Sequence, residues 1–253
     1  MKDNWKEGEA ENQLSVLSEA NIMGVRVTGS PKEEVLNIIR ANMALKVFGK
    51  PFLVVTVNPE FIIEAQGDQE FKEILNSADV AIADGAGLRL AGVKEIIPGR
   101  KLVAELLAGK PRTFYLGGRN GVAAEMAQKY GGGWDEGHLD IRSQMLDPRR
   151  NKNIIDKINR YKTDLLLVAY GAPWQEKWIW QNRDKLKAKV VMGVGGTFDY
   201  LTGRTKAPPD WVNRAGLEWL WRLVHEPWRW RRQLKLAEFG GLVVREKIRT
   251  LAW

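Results

Sequence analysis

Thr56 and Asn58 end the apolar run that begins Phe52-Leu53-Val54-Val55, and Asp84 ends the run Ala78-Asp79-Val80-Ala81-Ile82, set between Ala83 and Gly85. A hydroxyl and an amide are suited to fixing the hydroxyl and acetamido groups of a sugar. A carboxylate beside glycine backbone can take the proton of an attacking hydroxyl as a general base. Position alone leaves alternatives open: Asp84 is as well placed to cap a following helix, and Asn58 before Pro59 has the pattern of an ordinary N-cap. Thr56 is the better functional candidate of that pair. Both runs read as buried strands that stop abruptly in polar and glycine residues, so these side chains belong at carboxyl ends of strands, where open α/β sheets bind ligands. The 28 positions from Thr56 to Asp84 leave room for a strand, one or two crossover helices and the next strand of a right-handed βαβ unit. The two strands are therefore expected to be neighbours.

Glycine turns supply further candidates. Gly117-Gly118-Arg119-Asn120-Gly121 follows an apolar run and precedes a helical pattern, a place where helix N-terminal amides can cradle a diphosphate. Gly193-Val194-Gly195-Gly196-Thr197 is a second such loop, with Asp199 beyond it, and Gln175-Glu176 follow Pro173 in a first helical turn. The plain reading of these residues is helix capping. Neither glycine turn fits G-x-G-x-x-G, which argues against a dinucleotide oxidoreductase. Metal chemistry is poorly supported: His138 and His225 are far apart, and no D-x-D triplet is present to hold a divalent cation against a nucleotide diphosphate. No metal and no cofactor are expected, so cationic side chains must stabilise a leaving diphosphate.

These segments, from about residue 21 to about residue 232, resemble the WecG/TagA/CpsF family of bacterial glycosyltransferases: Thr56-Val57-Asn58-Pro59-Glu60, Ala83-Asp84-Gly85-Ala86-Gly87, Gly171-Ala172-Pro173-Trp174-Gln175-Glu176 and the 193–199 loop occur in the family's order. The resemblance implies an inverting glycosyltransferase using a UDP-sugar and the 4-hydroxyl of GlcNAc on undecaprenyl diphosphate, at the cytoplasmic face of the membrane. The N-acetylmannosamine transferases of teichoic acid synthesis are the first choice within it. UDP-N-acetylmannosaminuronic acid or UDP-glucose is the alternative donor. Asp84 matches the base proposed for the family's DGxG motif, and Thr56 matches its conserved threonine. The residues taken as substrate-binding are Asn58, Arg100, Gly118, Gln175, Glu176, Gly195, Gly196, Thr197 and Asp199, joined by Arg222, Arg229 and Arg232 of the family's tail pattern.

The elements that must position these groups alternate. A capping box at Ser30-Pro31-Lys32-Glu33 opens a helix over 31–48, a core strand follows from Pro51 to Val57, short helices cover 61–66 and 68–77, and a strand covers 79–83. Strands at 112–116, 164–169 and 189–194 interleave with helices at 122–130, 147–161 and 173–186. Strand-helix alternation predicts a Rossmann-like α/β fold, a mostly parallel sheet with helices on both faces. With 253 residues and 44% hydrophobic content, one large core domain over 1–200 plus an appendage over 201–253 is expected.

That last segment carries +6 of the chain's net +8 and six of its eleven tryptophans. Leu217, Leu220, Trp221 and Val224 form an apolar helix face before Pro227, and a second helix runs from Trp228 to about Thr250. Tryptophan among arginines and leucines suits an anionic membrane surface, and it favours lipid over nucleic acid as the partner of a basic binding protein, the reading from another class. Arg231, Lys235, Arg245, Lys247 and Arg249 are assigned to this solvated or lipid-facing surface. Cysteine is absent, the charged start lacks an apolar signal core, and no 18-residue uncharged run occurs. Secretion through a cleaved signal and membrane spanning are both disfavoured, and a homo-oligomer is compatible with the chain.

Overall fold

The computed structural model describes residues 17–45, 49–138, 141, 147–209, 211–212, 218–225 and 230–251. It contains an eight-stranded sheet in the order β1-β2-β4-β3-β8-β7-β5-β6. The strands are β1 (Glu19–Ile22), β2 (Val25–Thr28), β3 (Phe52–Val57), β4 (Val80–Ala83), β5 (Thr113–Gly117), β6 (Gly133–Asp135), β7 (Leu165–Ala169) and β8 (Val190–Gly193). All neighbours pair in parallel except β1, which joins β2 as an antiparallel edge. The Rossmann-like expectation holds.

Strand β3 shows why the sheet is buried on both faces. Leu53, Val55 and Val57 enter one apolar cluster and Phe52 and Val54 the other, the period of two that a strand imposes. The helices divide accordingly. Phe61 of α2 (Pro59–Gly67), Phe71 of α3 (Gln69–Asn76), Ile154 of α6 (Pro148–Arg160) and Trp178 of α7 (Trp174–Asn182) cover the first face. Val35 of α1 (Lys32–Ala44), Leu102 of α4 (Gly99–Ala108), Met126 of α5 (Val122–Tyr130) and Phe198 of α8 (Thr197–Thr202) cover the second.

Three details depart from the expected elements. The capping box does not close: the Ser30 hydroxyl accepts the Ser18 N–H at 3.0 Å instead, and α1 begins without a side-chain cap. The β1–β2 hairpin, whose turn is closed by the Gly24 N–H donating to Asn21 Oδ1 at 2.8 Å, and the three-residue β6 lie outside the expected set: β2 alternates, Val25-Arg26-Val27-Thr28, but over four residues only, and β6 is shorter still. Helix α4 was likewise unforeseen.

Beyond residue 200 lie α9 (Glu218–His225) and α10 (Trp230–Leu251). Helix α10 packs on α2 and on the 3₁₀ segment Ala86–Ala91, and its Phe239 and Val243 join the first core cluster. Among the described residues, no helix is long and apolar enough to cross a membrane.

Candidate active site

The sheet's two halves meet where β3 pairs with β8, Phe52 beside Val190 and Val54 beside Met192. Connections leave this junction in opposite directions, which opens a crevice at the carboxyl ends of the strands. A cleft lies there. Its walls include Thr56, Asn58, Asp84 and Arg100, the loop residues Gly171, Ala172, Gly195, Gly196 and Thr197, and Gln175, Tyr200 and Lys235.

Register brings the first three together. β3 and β4 pair with Val57 beside Ala83, and the Asp84 N–H continues the ladder to Val57 O at 2.7 Å. Gly85, at φ +95°, keeps its backbone against Asn58 and Pro59: a Cβ there would lie 3.8 Å from Asn58 Cβ and 3.7 Å from Pro59 Cδ. The Asn58 side chain caps α2, its Oδ1 accepting the Phe61 N–H at 3.0 Å, so the ordinary N-cap role is real and coexists with a place on the cleft wall.

Helix α4 enters over this group. The Ile97 N–H donates to Ala83 O at 2.7 Å, which ties the segment before α4 to the end of β4. Gly99 then passes so close that a Cβ there would stand 3.1 Å from Thr56 Cγ2 and 3.4 Å from Asp84 Oδ2. A side chain there would press on both residues, which glycine avoids. The next residue, Arg100, reaches the cleft with its guanidinium 5.5 Å from the centre of the Tyr200 ring, a cation-π contact that orients it.

On the far wall, Gln175 is almost wholly buried and its amide is spent on the protein. Its Oε1 accepts the Gly171 N–H at 3.1 Å and the Gly195 N–H at 3.0 Å, and its Nε2 donates to Glu176 Oε1 at 2.7 Å. Glu176 is fully buried, and burial pushes its carboxyl up to about 7. It lies beneath the cleft wall, behind Gln175. Gly118 and Asp199 also lie outside the cleft lining. Gly118, at φ +84°, packs against Val122 and Phe198, while Arg204 covers the turn by donating to Arg119 O at 3.1 Å and Asn120 O at 2.7 Å. Asp199 sits in the first turn of α8. Of the tail arginines, Arg229 lies outside the described residues. Arg222 falls in α9 and Arg232 in α10, and their side chains lie outside the description.

Lys235 was assigned to a solvated or lipid-facing surface, and here the structure corrects the sequence reading. Its ammonium lines the cleft and pairs with Glu64 on α2. The cause is the docking of α10: Phe239, one turn on, is fully buried and turns Lys235 inward with it. Glu60 and Glu64, one turn apart after the Asn58 cap, also line the cleft, and their i,i+4 spacing was the only signal that announced them. The described lining thus holds three carboxylates, Glu60, Glu64 and Asp84, and two cations, Arg100 and Lys235. Among the described residues no group of three or more His, Asp or Glu side chains is placed to hold a metal ion.

Residues 20–252 match the Glycosyl transferase WecG/TagA/CpsF family. The chain is 30% identical over 213 residues to N-acetylglucosaminyldiphosphoundecaprenol N-acetyl-beta-D-mannosaminyltransferase of Bacillus subtilis, covering 77% of this chain and 80% of that one. It is also 30% identical over 216 residues to the protein of the same name in Bacillus spizizenii, covering 78% and 80%.

Proposed function

This chain belongs to the WecG/TagA/CpsF family and is a glycosyltransferase, and we propose that it moves N-acetylmannosamine from UDP-ManNAc to the 4-hydroxyl of GlcNAc on undecaprenyl diphosphate, inverting the anomeric centre. The product would be the β-1,4-linked disaccharide that begins a wall teichoic acid. The donor and acceptor follow the names of the two Bacillus relatives.

One observation carries the chemistry: Asp84 stands at the β3–β4 strand ends with Thr56 and Asn58 beside it and Arg100 across from it. In a single displacement, the acceptor O4 attacks C1 of the donor sugar. Asp84 takes the O4 proton as the new C–O bond forms, and the C1–O bond to the diphosphate breaks, releasing UDP. One base suffices, because the leaving diphosphate carries its charge away. Arg100, Lys235 and the tail arginines Arg222, Arg229 and Arg232 would stabilise that charge without a metal. The three carboxylates in the described lining make such cations necessary. The cleft, about 180 Å³ in volume, would receive the reacting sugar, and the diphosphate and uridine would extend along the 171–199 loops.

The lipid tail of the acceptor requires a membrane surface beside the cleft. Helix α10 supplies a candidate: Leu234, Val244 and Ile248 are 58%, 57% and 62% exposed on the side away from Phe239, with Arg245, Lys247 and Arg249 exposed around them. Such a face suits peripheral attachment to the inner leaflet. The test of the whole reading is to incubate the purified chain with UDP-ManNAc, UDP-ManNAcA and UDP-glucose, each with a synthetic lipid-diphosphate GlcNAc, and to weigh the products. Transfer from UDP-ManNAc alone is expected. Transfer only from another donor would overturn the sugar assignment.

A further inference from the structure

The loop after β7 and the loop after β8 both line the cleft, yet no backbone ladder holds their tips together; the Gln175 side chain does. Its single oxygen takes the Gly171 N–H at 3.1 Å and the Gly195 N–H at 3.0 Å, one from each loop. An amide can rotate by a half-turn, which would point its NH₂ at those two N–H groups and forfeit both bonds, a loss of about 1–3 kcal/mol for each buried donor. What stands at the other end of the amide therefore matters.

That place is filled by Glu176. Its Oε1 accepts from Gln175 Nε2 at 2.7 Å, its Oε2 has no hydrogen-bond partner, and the side chain is fully buried. The space is closed from above by β8. A Cβ on Gly193 would come within 2.6 Å of Glu176 Oε1 and 2.7 Å of Gln175 Nε2, so glycine at the strand end admits the pair. The influences on the carboxyl are burial, the Gln175 amide and its own backbone N–H; no cation is among them. An ionised carboxylate without a cation in such a place is costly, so burial pushes the carboxyl up, while Oε1 can accept the amide N–H in either form.

We propose that Glu176 is a positioning residue of the cleft: its buried Oε1 accepts the Gln175 NH₂ and so holds the amide in the orientation in which Gln175 Oε1 staples the Gly171 and Gly195 loops. The effect on turnover rests on the reading above, that these loops hold a UDP-sugar. Gln175 stands in the wall and Glu176 behind it, and the contribution of the pair is to donor affinity through loop geometry rather than to the proton transfer.

The test compares full-length wild type, Glu176→Leu, Glu176→Gln and Gln175→Leu in two measurements. Amide hydrogen exchange at Gly171 and Gly195 reads the staple without any substrate. Both amides should be protected in wild type and Glu176→Gln, and should exchange at least tenfold faster in Glu176→Leu and Gln175→Leu. Steady-state kinetics then read its use: the donor KM should rise about tenfold in the two leucine variants with kcat changed less than threefold, and Glu176→Gln should restore the wild-type KM. Unchanged exchange in Glu176→Leu overturns the staple, and failure of Glu176→Gln, which keeps an acceptor oxygen there, to restore protection and KM overturns the acceptor role. If exchange behaves as expected while no variant, wild type included, uses a UDP-sugar, the staple stands and the functional reading falls. A merely structural role would lower the melting temperature of Glu176→Leu and leave the donor KM of its folded fraction unmoved, which also overturns the proposal.

Discussion

Asp84 is held by main-chain bonds that do not involve its carboxylate, its own N–H to Val57 O and the neighbouring Ala83 O to the Ile97 N–H, each 2.7 Å. Asp84→Asn keeps these main-chain bonds and the shape of the side chain, so it should fold and bind UDP while losing about 10²- to 10⁴-fold in turnover, the usual cost of a missing general base. Turnover within tenfold of wild type would remove Asp84 from that role. Glu176 makes a different, pH-linked prediction. Its carboxyl is raised from the ordinary 4.5 to about 7 in the folded chain, so below pH 4.5 it is neutral in both states and costs nothing. Between those values the unfolded chain ionises first, and above the upper one the folded chain carries the full penalty, about 3 kcal/mol. Glu176→Gln should erase this loss, so its advantage over wild type in urea unfolding should be larger at pH 8 than at pH 5; an equal difference at both pH values would refute the assignment. These two carboxylates also mark how far single residues were legible. Asp84 announced itself because it interrupts a strand pattern at glycine. Glu176 reads as a helix-capping or substrate-binding acid in a first helical turn, because nothing local reveals that Gly193 of a distant strand covers it.

At the scale of elements, the apolar runs of β3, β4, β5, β7 and β8 were legible because strands buried on both faces are continuously hydrophobic. Helix α4, which brings Arg100 to the cleft, and the docking of α10, which brings Lys235, depend on contacts remote in sequence. The docking of α10 has a specific weak point. A Cβ on Gly87 would stand 2.8 Å from Pro59 Cγ and 2.8 Å from Leu236 Cδ1, in the seam between α2 and α10. The proline ring is fixed at the first turn of α2, so the 86–91 segment must shift away from it, toward Leu236 of α10. Gly87→Ala should cost about 1–3 kcal/mol of overpacking, concentrated on α10. Hydrogen exchange over residues 230–251 should accelerate while that of β3 and β8 is unchanged. Uniform acceleration across the sheet would show that α10 is not a separately yielding element.

At the scale of the whole molecule, one helix presents two sides, an exposed apolar one and one turned to the core and the cleft, and this decides how the tail can be tested. Removing residues 201–253 would uncover the α2 face that Phe239 and Val243 bury, so loss of activity would say nothing about membranes or cations. Substitutions on the two sides of α10 separate them. Leu234→Ser, Val244→Ser and Ile248→Ser together change only exposed positions. They should abolish flotation with anionic vesicles while leaving turnover of a short, water-soluble acceptor within about twofold. Lys235→Met, on the inward side, removes one of two described cleft cations and its pairing with Glu64. It should cost about tenfold or more in turnover of that same soluble acceptor and leave flotation nearly intact, since one cation near a membrane is worth about 1 kcal/mol. EDTA should alter neither result, because the diphosphate is assigned to arginine and lysine. If the triple serine variant loses turnover of the soluble acceptor as fully as Lys235→Met does, the outer face of α10 is part of the reaction and the division of labour across the helix fails. If Lys235→Met turns over as wild type does, its ion pair with Glu64 only clamps the helix, and the leaving diphosphate must be met by Arg100 and the tail arginines.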